Sequence, residues 1–372
     1  MSFRVESADL DSYGNLLKRA TEDVQQCIGY LKQATVDKGL VSEFWEMCTS
    51  EHEKYVSDGE TLLTKVRGIL DSASGELAKV AAYYRDTDSD EAARMDAAYP
   101  GSKQRAPGNA GSGSGASFQD VRDAGNELKP VGGDKNYLEG HLSEFSFAPV
   151  HKTVGTFMDF GSPSAIVNEG CKLFLGIDPF GEALKWVTGD WDTYTDCGTA
   201  WANLGKACGA IADNIKSGND VLAGSWEGNA ADAAWAYFDE FQTKLRSIEE
   251  GLSSLEGHYG QVAHYIFALA EVLKAGLAFI ADRIITAMVF QAAAFAASAT
   301  GVGLLGGAAS AALAAAQATL AVMKWAELTA QFTKTAMALT LALGASSAIM
   351  GTTVDAVQGF PEVGGGYDHK AV

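Results

Sequence analysis

The chain has 372 residues, 47% of them apolar and 20% charged, with a formal net charge of -19. So apolar a composition excludes a disordered chain, and so acidic a balance excludes a nucleic-acid binder, whose phosphate partners need a basic surface. It equally disfavours docking on anionic lipid through charge.

Only seven Pro and long Ala-rich runs place the chain in the all-α class. The expected architecture is an elongated helical bundle built from two helical hairpins plus long Ala-rich helices. Met1 to Leu10 carries Arg4, Glu6 and Asp9 and has no apolar core of a signal peptide, so composition taken alone reads as cytoplasmic.

Residues 1–98 read as the first hairpin. Leu10, Tyr13, Leu16, Leu17, Val24, Cys27, Ile28 and Leu31 recur at three and four, one face of a helix. Asp37-Lys38-Gly39 breaks the pattern, and Ser42 is placed to cap a second helix carrying Trp45, Leu62, Val66, Ile69, Leu70, Leu77 and Tyr84. If the chain turns at 37–39, Cys27 and Cys48 sit at matching heights, and a disulfide between them stands beside a second reading in which both are buried thiols. Cys197 and Cys208 lie in one helical stretch, roughly 16 Å apart and too far to bridge.

The hairpin closes on Tyr84-Arg85-Asp86-Thr87-Asp88, a Y-x-x-x-D run. Four residues apart on a helix, Tyr84 and Asp88 would present an aromatic plate and a carboxylate together. Residues 99–135, with Pro100-Gly101, Pro107-Gly108 and a Gly/Ser run to Ser117, read as a linker. Residues 136–260 read as a second hairpin module. Short apolar pieces come first, then a helix started by Asp190 or Asp192, and then Ser225-Trp226-Glu227-Gly228. The returning helix runs from Ala230 to Tyr259. In this W-x-G triplet the indole can lie across the hairpin end. Gly228 permits a backbone that a side chain would oppose, and Asn229 or Ser225 can cap the flanking helix. Residues 261–355 form an apolar Ala-rich helical region, and 356–372 a flexible tail.

Tyr84 and Asp88 with Trp226 and Gly228 resemble the two halves of the export signal of W-x-G (ESX-type) type VII secretion substrates of actinobacteria. Members of that family pair as helical hairpins into four-helix bundles. In the related PE and PPE pairs one partner carries Y-x-x-x-D and the other W-x-G. Here the first hairpin has Phe44-Trp45-Glu46-Met47 where a Gly would be needed, and the second has Ala263 four residues after Tyr259. The two hairpins thus complement each other, which implies an intramolecular pseudo-heterodimer. Ser162-Pro163-Ser164-Ala165, Ile177-Asp178-Pro179-Phe180, residues 224–235 and Gly366-Tyr367-Asp368-His369 resemble the N-terminal delivery regions of W-x-G polymorphic toxins. No room for a toxin domain is expected before Val372.

The resemblance implies a secreted or cell-surface protein without a cleavable signal peptide. Its partners would be the type VII secretion ATPase and machinery, together with a co-secreted helical protein or chaperone. The role would be that of an effector or delivery scaffold.

Enzyme readings fail. The six His (52, 141, 151, 258, 264 and 369) make no H-x-x-x-H. Asp86-x-Asp88-x-Asp90 has Glu91 where a calcium loop needs Gly. Gly301-Val302-Gly303-Leu304-Leu305-Gly306 follows an Ala-rich helix, not a strand. No catalytic site, metal or cofactor is expected. The alternative function is a conditionally membrane-inserting, pore-forming protein, because 284–323 and 335–354 carry no charged residue. Since the runs are Ala-rich and interrupted by Gln291 and Gln317, burial in the bundle is the preferred expectation.

Overall fold

The computed structural model describes residues 3–33, 42–99, 117–131, 163–299, 304–361 and 363, and these are almost entirely helical. Helix α1 (Ser7–Leu31) buries the expected stripe from Leu10 to Leu31. Helix α2 (Glu43–Asp86) begins where Ser42 accepts the Trp45 N–H. The Ser42 hydroxyl in turn donates to the Thr188 carbonyl at 2.5 Å, so the cap also fixes where the chain enters the second half. The break expected at Asp37-Lys38-Gly39 lies outside the described residues.

The hairpin is asymmetric. Lys32 pairs with Glu60 and Arg67 with Gln25, a register that places residue 65, not 48, opposite Cys27. Cys48 lies roughly 25 Å further along α2 at 1.5 Å per residue. The Cys27–Cys48 disulfide is therefore ruled out, and all five cysteines are free and buried. Burial, with Cys208 beside it, raises the Cys27 thiol well above its usual range. Burial raises Cys48 to about 12, against a hydrogen bond with Tyr194. Such thiols stay protonated and inert.

Helix α3 (Ser89–Ala98) follows a bend at Thr87. Within the expected 99–135 linker, residues 117–131 are not loose. They form a strap with a single 3-10 turn at Gly125–Glu127. Asn214 accepts the Val121 and Arg122 N–H groups and donates to the Arg122 carbonyl. Arg19 holds Asp120 and the Phe118 carbonyl, and Tyr30 donates to the Lys129 carbonyl. A strap bonded to two helices explains why a Gly/Ser-rich neighbourhood contains fixed structure.

Helices α4 (Pro163–Leu175) and α5 (Pro179–Val187) precede α6 (Trp191–Leu222). Asp190 caps α6, accepting from the Thr193 N–H and hydroxyl. The helix after the W-x-G turn does not end at Tyr259. It runs unbroken as α7 (Asn229–Ala299), and α8 (Leu304–Gln358) packs back along it. Gly198, Gly205 and Gly209 let α6 approach α7 closely, since a Cβ there would strike Tyr259, Ser253 and Glu249.

Around the bundle, α1 neighbours α2 and α6, α6 neighbours α7, α7 neighbours α8, and α8 returns to α2. The last contact includes stacked Phe44 and Phe332 and a Tyr55 hydroxyl donated to the Leu343 carbonyl. The core contains a polar line in which His52 Nδ1 meets the Tyr259 hydroxyl at 2.7 Å and Trp201 donates to the same oxygen. The expected tail is also docked at its start, with Phe360 buried against Tyr237 and Phe241.

The region 261–355 divides in two. Ile266, Leu273, Ile280, Leu339, Leu343 and Met350 are buried as expected, with Val272, Phe279, Met337 and Leu341 exposed between them, whereas Ile285, Val289, Phe295, Leu313, Leu320, Val322 and Met323 are exposed. Within 284–299 and 306–323 the expected burial holds only for the face carrying Ile284, Ala287, Ala294, Ala314 and Ala321.

Among the described residues two carboxyl groups bind protons more tightly than ordinary Asp. Burial, then Asp120 and Asp123 of the strap and Glu22, raise Asp23 to about 6, with Arg19 opposing. Burial, then Asp192 and Asp190, raise Asp196 to about 6. Between the ordinary value of 3.8 and about 6 the folded chain holds protons that the unfolded chain has released, so stability falls as pH rises through that window. Asp23→Asn and Asp196→Asn should raise Tm at pH 7 and leave it near wild type at pH 4. A lower Tm at pH 7 for both variants would contradict this.

Candidate functional site

The W-x-G turn and the Y-x-x-x-D segment meet at one end of the bundle. Leaving α6, the chain makes a tight turn in which Ser225 N–H donates to the Leu222 carbonyl. Strand β2 (Trp226–Glu227) then pairs antiparallel with β1 (Arg4–Val5), Val5 opposite Trp226 and Arg4 opposite Glu227. The Glu6 N–H donates to the Ser225 carbonyl at 3.0 Å. The N-terminal residues thus complete the turn as a short ribbon.

Trp226 is 1% exposed. The Tyr84 ring stands edge-on to it, centroids 6.3 Å apart at 72°, a favoured aromatic geometry. Phe3 closes the other side of Tyr84 at 5.9 Å. Burial pushes the Tyr84 hydroxyl up to about 12, while the Trp226 indole N–H beside it pulls the other way. Tyr84 therefore remains a neutral phenol, half-buried at the seam between the two hairpins.

Gly228 has φ 138°, a conformation that side chains oppose. A Cβ there would also lie 2.5 Å from the Asp96 carboxylate. That carboxylate is the centre of the junction. Its two oxygens accept the Asn229 and Ala230 N–H groups, each at 2.9 Å, so α7 is capped from α3. The Asn229 side chain turns away and donates to the Asp96 and Tyr99 carbonyls. The expected caps, Asn229 and Ser225, do not fill this role because the first N–H groups of α7 already have a charged acceptor.

One expectation about the site needs correction. Tyr84 and Asp88 do not share a helix face: α2 ends at Asp86, Thr87 is extended (φ -107°, ψ 139°), and Asp88 caps α3 by accepting the Asp90 N–H. Trp226 is buried, as expected of an indole lying across the hairpin end. The exposed feature is Asp88, two helical turns before Asp96 on α3.

Of the four residues singled out by sequence, Tyr84, Trp226 and Gly228 come together, while Asp88 stands apart. Asp96, Phe3 and the β1 strand were missed, and no local pattern marks them because their partners lie far away along the chain. Trp45, the counterpart in the first hairpin, is buried edge-on to Trp191. Among the described residues no group of three or more His, Cys, Asp or Glu side chains could hold a metal ion. No family model, curated protein or solved structure matches the chain.

The geometry couples Gly228 to Asp96. Gly228→Ala should destabilise the chain by about 1–3 kcal/mol, from strained φ and contact with the carboxylate. Asp96→Ala should cost about 1–2 kcal/mol through the lost cap. In the double variant the two costs should sum to less than expected, because removing the carboxylate frees room for the new methyl. Additive costs in chemical denaturation would show that the Asp96 contact does not constrain Gly228.

Proposed function

We propose that the chain is a non-enzymatic substrate of a type VII (ESX-like) secretion system, acting after export as an effector or delivery scaffold. The observation that supports the reading most is the contact of Tyr84 with Trp226. The two sequence elements that resemble the split export signal lie against each other within one chain. In the pairs it resembles, two polypeptides must associate to bring those elements together. Here the second hairpin takes the place of the partner, so a co-secreted helical protein is not needed to complete the junction. The secretion ATPase and its machinery are the proposed primary partner, and any chaperone would act before export. The protein would then be found outside the cell or on its surface.

Within this reading Asp88 is the recognition carboxylate. It is exposed, at the start of a short helix that Asp96 anchors to the W-x-G turn. Recognition would depend on α3 being held in one place, not on a continuous helix face from Tyr84.

Asp88→Asn keeps an N-cap acceptor, since Asn and Asp cap about equally well, and removes the charge. In a cell with an active type VII system it should accumulate inside, with a melting curve like that of wild type. Deleting the secretion ATPase should trap the wild-type chain in the same way. Undiminished secretion from the ATPase-deleted cells would sink the proposal. Normal export of Asp88→Asn alone would remove Asp88 from the signal.

A further inference from the structure

From 284 to 323 the chain carries no Asp, Glu, Lys, Arg or His. The paired helix ends 284–299 and 306–323 make an apolar arm. Their seam is built from small side chains at a seven-residue spacing: Ala287 and Ala294 on α7, Ala314 and Ala321 on α8 are buried. A seven-residue repeat keeps the two helices in register along their length. Helix α4 packs on the arm, with Gly170 against Ile284 and Met288.

Most of the arm's remaining surface is apolar, interrupted by the half-buried polar residues Gln291 and Ser310. Leu320, Val322 and Met323 are all exposed, and at about 100° per residue they point in three separate directions. Val289 and Phe295 are exposed on the other helix. A protein partner or a second copy needs one apolar stripe with a polar rim, whereas this arm is apolar around most of its circumference. That is the pattern of a helix pair solvated by hydrocarbon.

Three further observations favour lipid as the occupant. The hydroxyls of Thr286, Ser298 and Thr319 each donate to the carbonyl four residues back in their own helix, so they need no water. The amide oxygen of Gln317 accepts from Arg283. Charge returns at the base of both helices, with Asp282 and Arg283 on α7 and Lys324 and Glu327 on α8. The arm is about 24 Å long at 1.5 Å per residue, close to the roughly 30 Å hydrocarbon core of a bilayer.

We propose that residues 284–299 and 306–323 insert together as a hairpin into the hydrocarbon of a phospholipid bilayer, while the rest of the bundle stays in water. The hairpin is an anchor and not a pore, because two helices packed on Ala leave no space between them. The longer apolar stretch of α8, 335–354, does not take part, because Leu339, Leu343 and Met350 are buried in the body. The net charge of -19 makes a zwitterionic surface the favoured target and an anionic one the disfavoured target. This anchoring is independent of how the chain leaves the cell.

The full chain, mixed with phosphatidylcholine vesicles and centrifuged through a density gradient, should float with the lipid. Phe295 is 69% and Leu313 47% exposed, so Phe295→Arg and Leu313→Arg should leave Tm unchanged in the soluble chain. Each should lower the partition coefficient at least tenfold, because an arginine near the middle of the bilayer is strongly disfavoured. Leu341→Arg, at a position 75% exposed on α8 outside the arm, should float like wild type. Wild-type protein that stays with the soluble fraction would overturn the proposal. So would equal loss of flotation in Leu341→Arg. A dimer in light scattering that dissociates with Phe295→Arg, in a chain that does not float, would assign the arm to a second copy instead.

Discussion

The first turn of a helix leaves its N–H groups without intrahelical acceptors and carries the positive end of the dipole. In α7, the longest helix of this protein, those groups are met by the Asp96 carboxylate from the other hairpin. The remainder of the junction depends on this one interaction. It brings α3 against the W-x-G turn and requires a glycine at 228. Burial of the indole supplies the larger energy, about 5 kcal/mol for roughly 200 Å² at 25 cal/mol per Å². The carboxylate supplies the position. A buried aromatic pair could slide along the seam, whereas two hydrogen bonds to successive N–H groups cannot.

Much of the fold could be read along the chain, and the failures share a cause. The stripe from Leu10 to Leu31, the Ser42 cap and the Asp190 cap are local patterns, and each forms as read. Asp96 could not be read that way. An Asp in an Ala-rich turn is ordinary, and its partners are more than a hundred residues distant. The strap at 117–131 was hidden for the same reason: Asn214 and Arg19, which hold it, lie on other helices. Cys27 and Cys48 looked symmetric about 37–39, but packing of the buried stripes sets another register, which the Lys32–Glu60 and Gln25–Arg67 pairs report. At the candidate site the residue types in W-x-G were legible down to the positive φ of Gly228, while the expected helix face of Tyr84 and Asp88 was not. The bend at Thr87 divides that face, and nothing in Arg85-Asp86-Thr87 breaks a helix as Pro or Gly would.

The region after 261 shows how composition can mislead in both directions. One helix, α8, is long and apolar enough over Gly306–Gln358 to cross a membrane. Its most hydrophobic end nevertheless packs against α2, where Tyr55 and Glu51 reach Leu343 and Ser347. The weaker-looking Ala-rich segment leaves more of its large side chains exposed, although Met337 and Leu341 of the other end are exposed too. Small side chains allow two helices to pack closely on each other, and the larger residues between them then face outward on every side. Hydropathy averages over both faces and cannot separate these two outcomes; burial can.

The central claim is that the two hairpins form one body through contacts between them, with the covalent link serving only to keep them together. Opening the chain at a protease site placed between Gly111 and Gly115 tests it directly. The contacts across α1 and α6, the strap on Arg19 and Asn214, and the Asp96 cap predict that the cut fragments co-elute as one species in size exclusion at micromolar concentration. They should separate only in denaturant. Fragments that part under native conditions would contradict the account.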